Sequence, residues 1–111
     1  MKGDNLGEFE ELTLLMVANL ANDAYGISIR GEIKKLSGRS VSLSAVHTTL
    51  HRLEKKGYLL SRYDNSYITV RGGRPKLVFI ITGDGMKAMN HSRELRNQLW
   101  NTIPLIDPSH G

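Results

Sequence analysis

The stretch SLSAVHTTLHRLEKKG, residues 42–57, decides the fold. It opens on Ser42, a favourable helix N-cap, and closes on Gly57, suited to the left-handed turn that ends a helix. Stepped at about 100° per residue, Leu43, Val46, Leu50 and Leu53 form one apolar stripe. Ser44, Thr48, Arg52 and Lys55 fall on the opposite side, with His51 beside them. After Gly57 the period changes. Residues 58–63 read as a strand and 77–81 as a shorter, almost wholly apolar one. Between them lie Asp64-Asn65-Ser66 and the turn-forming, basic run Arg71-Gly72-Gly73-Arg74-Pro75-Lys76.

Upstream, residues 8–20 read as a helix with Phe9, Leu12, Met16 and Leu20 at helical spacing and Glu8, Glu10 and Glu11 at its dipole-favoured N-terminal turn. Leu15 and Val17 fall on other faces, so this helix is expected to be buried on more than one side, in the domain and against a partner. Asn22-Asp23 makes a turn. A second helix over 26–36 puts Ile29, Ile33 and Leu36 on one face and stops at Ser37-Gly38. Residues 40–42 are short and extended.

Downstream, Thr82 caps a last helix over 83–101, its first turn weakened by Gly83 and Gly85. Met86, Met89, Leu95, Leu99 and Ile103 form a loose apolar stripe with Trp100 beside it. Pro104 and Pro108 end regular structure.

Three helices, a two-stranded hairpin and a further helix predict an α+β, mainly α fold, the winged helix-turn-helix, followed by a C-terminal dimerisation helix. The expected division is a winged-helix DNA-binding domain over 1–82, the dimerisation helix over 83–103 and a tail over 104–111.

The chain's 111 residues bound it to a domain of this kind, large enough to bury one core. With no cysteine, disulfide scaffolds, thiolate metal sites and cysteine nucleophiles are excluded. No apolar run reaches the roughly 20 residues a bilayer needs, and the acidic N-terminus has no signal-peptide core, so the expected place is the cytoplasm, with no membrane contact. The formal charge is +4, but it is unevenly spread. Over 1–24, Lys2 stands against five acids, a net of −4; over 25–76, eleven bases stand against Glu32, Glu54 and Asp64, a net of +8; the remainder is neutral. A polyanion should therefore meet the middle of the chain.

A helix that reads bases wants small polar residues near its N-terminus and cations further along for phosphates. Ser44, Ala45 and Thr48 fit the first role and Arg52, Lys55 and Lys56 the second; Ser42, His47 and His51 complete the candidate DNA-binding set of this helix. In the wing, Arg71, Arg74 and Lys76 flank Gly72, Gly73 and a proline, a narrow cationic loop suited to a minor groove or its flanking phosphates. Phe9, Met86, Met89, Leu95, Leu99 and Ile103 are the expected dimer contacts. Trp100, on the same helix, is the candidate for binding a flat aromatic effector between two copies, with a dimer-core anchor as its plainer role.

These elements also carry a family likeness. Tyr25-Gly26, Ile29, Leu43-Ser44, the run Leu50-His51-Arg52-Leu53-Glu54-Lys55-Lys56-Gly57 and Ser61-Arg62 are followed by Gly72-Gly73-Arg74-Pro75-Lys76, Ile81-Thr82 and Gly85. Over about residues 8 to 90 the chain resembles the PadR family of transcriptional regulators, in a short form with a single C-terminal helix. The resemblance implies a homodimeric repressor that binds double-stranded DNA at an inverted repeat and is released by a small aromatic or cationic molecule. The chain departs from the family's usual pattern at Ser44-Ala45, at His47-Thr48 and at Val78-Phe79.

Two other readings compete for the same residues. One is a winged helix used for protein contacts alone, which gives no reason for the basic residues to share one side. The other is a metal-responsive regulator holding an ion through His47 and His51, with Glu54 near them. No G-x-S-x-G turn, phosphate-binding loop or HExxH pair is present, so neither an enzyme nor a cofactor is expected.

Overall fold

The computed structural model describes residues 5–64 and 76–104. Helix α1 spans Glu8–Leu20 and, after a 3-10 turn over Ala21–Asp23, helix α2 spans Gly26–Ser37. Helix α3 is Leu43–Lys55, strands β1 and β2 are Leu59–Asp64 and Lys76–Ile81, and helix α4 is Gly83–Asn101. The strands pair antiparallel from Leu59 opposite Ile81 to Asp64 opposite Lys76. Among the described residues no helix is long and apolar enough to cross a membrane.

The helix ends follow from local chemistry. Ser42 accepts the Ala45 N–H at 3.1 Å, and Thr82 accepts that of Gly85 at 3.0 Å, each satisfying an orphan first-turn donor. The Thr82 hydroxyl also donates to the Gly57 carbonyl at 2.7 Å, fastening the start of α4 to the end of α3. Gly38 and Gly57 take φ of +75° and +83°, the left-handed geometry that closes α2 and α3.

The core is built from Leu14 and Val17 of α1, Ile29 and Ile33 of α2, Val46, Leu50 and Leu53 of α3, and Leu59 and Phe79 of the strands. Thr49 joins the buried face of α3, its hydroxyl donating to the Ala45 carbonyl at 3.0 Å, so the polar group is satisfied within the helix. Leu36 does not follow Ile29 and Ile33 inward. The last turn of α2 runs past the layer it packs on, residues 34–40 are all exposed, and Leu36 is 63% exposed.

The three acids of the first turn of α1 each take a cation from a different element. Glu8 meets Arg39 at 2.6 Å, Glu10 meets Lys56 at 2.9 Å, and Glu11 meets Arg96 at 2.8 Å. The acidic entry helix is thus stitched to the α2–α3 connection, to the end of α3 and to α4. The first half of α4 belongs to the same core, which takes in Ala88 and Met89. Gly85 is required there: a Cβ on it would stand 2.3 Å from the Tyr58 carbonyl oxygen. From residue 93 onward every described residue is exposed.

Candidate nucleic-acid interface

Helix α3 buries one side and presents the other. Ser44, Ala45, Thr48, His51, Arg52 and Lys55 are all exposed and fall within an arc of about 120°. The small side chains occupy its N-terminal half and the cations its C-terminal half. Ser42 stands at the entrance with its hydroxyl engaged as the cap and within 3.2 Å of Ser44 Oγ.

His47 lies at the border of this face, half-buried. Its ring rests on Gly26, the first residue of α2, where a Cβ would stand 2.6 Å from Nε2. It stacks on His51 at 6.2 Å between centroids, and His51 meets Phe79 edge-on, also at 6.2 Å. Nδ1 of His51 faces Glu54 at 3.4 Å, and the other Glu54 oxygen accepts the Ser61 hydroxyl at 2.6 Å. His51 is therefore oriented from its own helix and from both strands. Among the described residues no three histidine or acidic side chains group closely enough to hold a metal ion.

Lys56 is placed differently from the expectation that grouped it with Arg52 and Lys55. Its ammonium donates to both oxygens of Glu10 at 2.9 Å and to the Asn5 carbonyl at 3.2 Å, on the side of the domain that faces α1. Burial alone would raise the Glu10 carboxyl, but the Gly7 N–H, Lys56 and the nearby charge of Arg52 outweigh it and hold the group below its ordinary value.

The hairpin stands beside α3. Lys76, at the start of β2, is exposed, with its ammonium 5.6 Å from the Tyr25 ring centroid. The expected wing residues Arg71, Gly72, Gly73 and Arg74 lie outside the described residues. The outer end of the sheet is held by Tyr25, whose hydroxyl donates to Asp64 at 2.5 Å. This role has no local signature in the sequence, because the two residues are 39 positions apart.

The expected dimer residues divide. Met86, Leu95, Leu99 and Ile103 are exposed, and Trp100 is 72% exposed. Met89 lies in the chain's own core, while Phe9 packs against that core half-buried with Arg39 over its ring at 5.1 Å. A groove of about 400 Å³ runs between α1 and α4, lined by Leu15, Met86, Met89 and Trp100 and by the Glu11–Arg96 pair. Glu11 raises the already high pKa of the Arg96 guanidinium.

Helix α3 with its polar outer face, backed by α1 and α2 and flanked by a two-stranded hairpin, defines a winged-helix protein. The chain belongs to the transcriptional regulator PadR-like family, whose profile matches residues 14–91. Members of that family are regulators of transcription and not enzymes. Solved structures show the same fold. The hsRosR-S4 complex is 20% identical with a TM-score of 0.68, over 92% of this chain and 80% of that one. A PadR family regulator from Eggerthella lenta is 22% identical, with a TM-score of 0.65 over 81% and 75%. One from Clostridium difficile is 22% identical, with a TM-score of 0.62 over 81% and 91%. No curated protein matches the chain.

Proposed function

We propose that this regulator is a homodimeric repressor, working in the cytoplasm, that reads double-stranded DNA with α3 and grips the flanking backbone with its wing. The observation that carries this reading is the single exposed face of α3, small polar residues first and Arg52 and Lys55 after, on a helix packed against the hairpin through β1. Ser44, Ala45 and Thr48 are the residues short enough to bring the helix backbone close to base edges, and His51 extends from the same arc. Arg71, Arg74 and Lys76 supply the wing's charge.

The dimer reading rests on α4. Leu95 and Leu99 continue along the helix on about the side that Gly85, Ala88 and Met89 bury nearer its start, and exposed Ile103 follows just past its end. One stripe therefore serves the chain's own core in its first half and is left bare in its second, which a symmetry mate would cover. Two such protomers would set their α3 helices about 34 Å apart, one turn of duplex. Trp100, at the groove between α1 and α4, is the place where a small flat aromatic molecule would bind and alter that spacing.

The test is an electrophoretic shift with the duplex upstream of the chain's own gene, against random duplex, at low and moderate salt. A specific shift that weakens steeply with salt is expected. Failure to bind either duplex at low salt would overturn the reading and leave a winged helix that contacts proteins.

A further inference from the structure

Residues 24–26 join α1 to α2 and touch both parts of the proposed interface. The Ala24 carbonyl accepts the Phe79 N–H at 2.9 Å, and Tyr25 forms an isolated antiparallel bridge with Val78, so residues 24 and 25 are tied by their backbone to β2. The Tyr25 side chain reaches the far strand, donating to Asp64, while Lys76 stands over its ring. Asp64 and Lys76 are register partners at the outer end of the sheet. Gly26, the next residue, lies against His47 on α3. One tripeptide therefore holds the outer end of the wing sheet on one side and the reading helix on the other.

We propose that Tyr25 is a positioning residue for DNA binding, acting through Asp64 and Lys76 to fix the wing relative to α3. A two-stranded ribbon has little stability of its own and twists readily. Its inner half is held by the buried Leu59 and Phe79 and by the Ala24 carbonyl; with its outer end left loose, it would sweep its cations through a range of positions. A hydrogen bond to a carboxylate is short and directional, and this one is made at that outer end of the sheet. Fixing that end before DNA arrives removes an ordering cost from binding, so the wing's phosphate contacts add to those of α3 in one geometry. The proposal deepens the DNA reading above and rests on it.

Two variants and two readouts test it. Tyr25→Phe keeps the ring and loses the hydroxyl; Asp64→Ala loses the acceptor. In the full chain without DNA, amide exchange at residues 62–64 and 76–78 is expected to accelerate about fivefold or more in both variants, while amides of α3 do not change. On the upstream duplex, Tyr25→Phe is expected to weaken binding about fivefold, comparable to losing one net hydrogen bond. That loss should recur in full on a Thr48→Ala background and vanish on an Arg74→Ala background, where the wing's grip is already gone. Unchanged exchange, or a Tyr25→Phe loss as large with Arg74 absent as with it present, would overturn the positioning role while leaving DNA binding intact. A wild-type chain that shifts no duplex would instead bring down the DNA reading, and this role with it.

Discussion

The Lys56 ammonium stands 2.9 Å from each carboxylate oxygen of Glu10, joining the end of α3 to the first turn of α1. Glu10 also accepts the Gly7 N–H at 2.7 Å, so one carboxylate closes the N-terminus of α1 and anchors a cation from another helix. Because the folded state holds this carboxyl below its ordinary 4.5, the unfolded chain takes up its proton more readily. The stabilisation is therefore fully present above about pH 4.5 and is lost as pH falls through the lower, folded value. Glu10→Gln is expected to lower stability at pH 7 by about 1–2 kcal/mol, by weakening a charged hydrogen-bond network. It should also flatten the acid limb. Urea midpoints measured from pH 7 to pH 3 check both; parallel curves for wild type and variant would remove Glu10 from the linkage.

Gly83 and Gly85 lie two residues apart in the first turn of α4 and should respond oppositely to alanine. Nothing stands within 4 Å of a Cβ on Gly83, whereas one on Gly85 meets a backbone oxygen at 2.3 Å, which no side-chain rotation relieves. Gly83→Ala is expected to be neutral or stabilising by up to about 1 kcal/mol through helix propensity. Gly85→Ala should cost about 3 kcal/mol as α4 is pushed off Tyr58. Thermal melts of the two variants at one concentration make the comparison.

Much of the architecture was legible in the chain because its signals are local. The helix over 8–20, the Ser42 and Thr82 caps and the stops at Gly38 and Gly57 each depend on residues within a turn of one another, and each stands where it was expected. The strand limits moved by one residue, a shift that pairing across the sheet decides. What was not legible joins distant parts. Lys56 reads as one more cation on a basic helix until α1, 46 positions earlier, supplies Glu10. Met89 and Leu95 share an apolar stripe, yet one lies in the core and the other is 50% exposed, because helix periodicity marks a face and not what covers each part of it. Gly85 reads as a weak point of α4 and is a point of close contact.

The reading face and the wing should fail differently. Thr48→Ala removes a side chain from the exposed arc of α3, so sequence preference should change, at a cost of about 1–3 kcal/mol on the best site and little on random duplex. Arg74→Ala should weaken binding to all sequences alike and reduce the salt slope by about 1, the outcome that the proposed phosphate or minor-groove contact requires. Titrations of both variants against specific and random duplex, at three or more salt concentrations, separate the two. An Arg74→Ala chain with unchanged affinity and slope would exclude the loop from the interface.

Leu99 tests the assembly because it lies on the part of α4 that makes no contribution to the chain's own core. It is 59% exposed and on the bare half of the stripe, so Leu99→Glu should leave the fold and its melting behaviour in dilute solution nearly unchanged. A carboxylate buried against its own symmetry mate is a different matter. It would have to lose its water and sit near an identical charge across the two-fold axis, and the dimer should give way instead. Sedimentation at micromolar concentration is expected to show a dimer for the wild type and a monomer for the variant. Losing the second reading helix removes the gain from linked half-sites, so affinity for an inverted repeat should fall by about a hundredfold or more, while affinity for a single half-site changes little. A variant that remains dimeric with full affinity would mean that α4 is not the contact between the two copies.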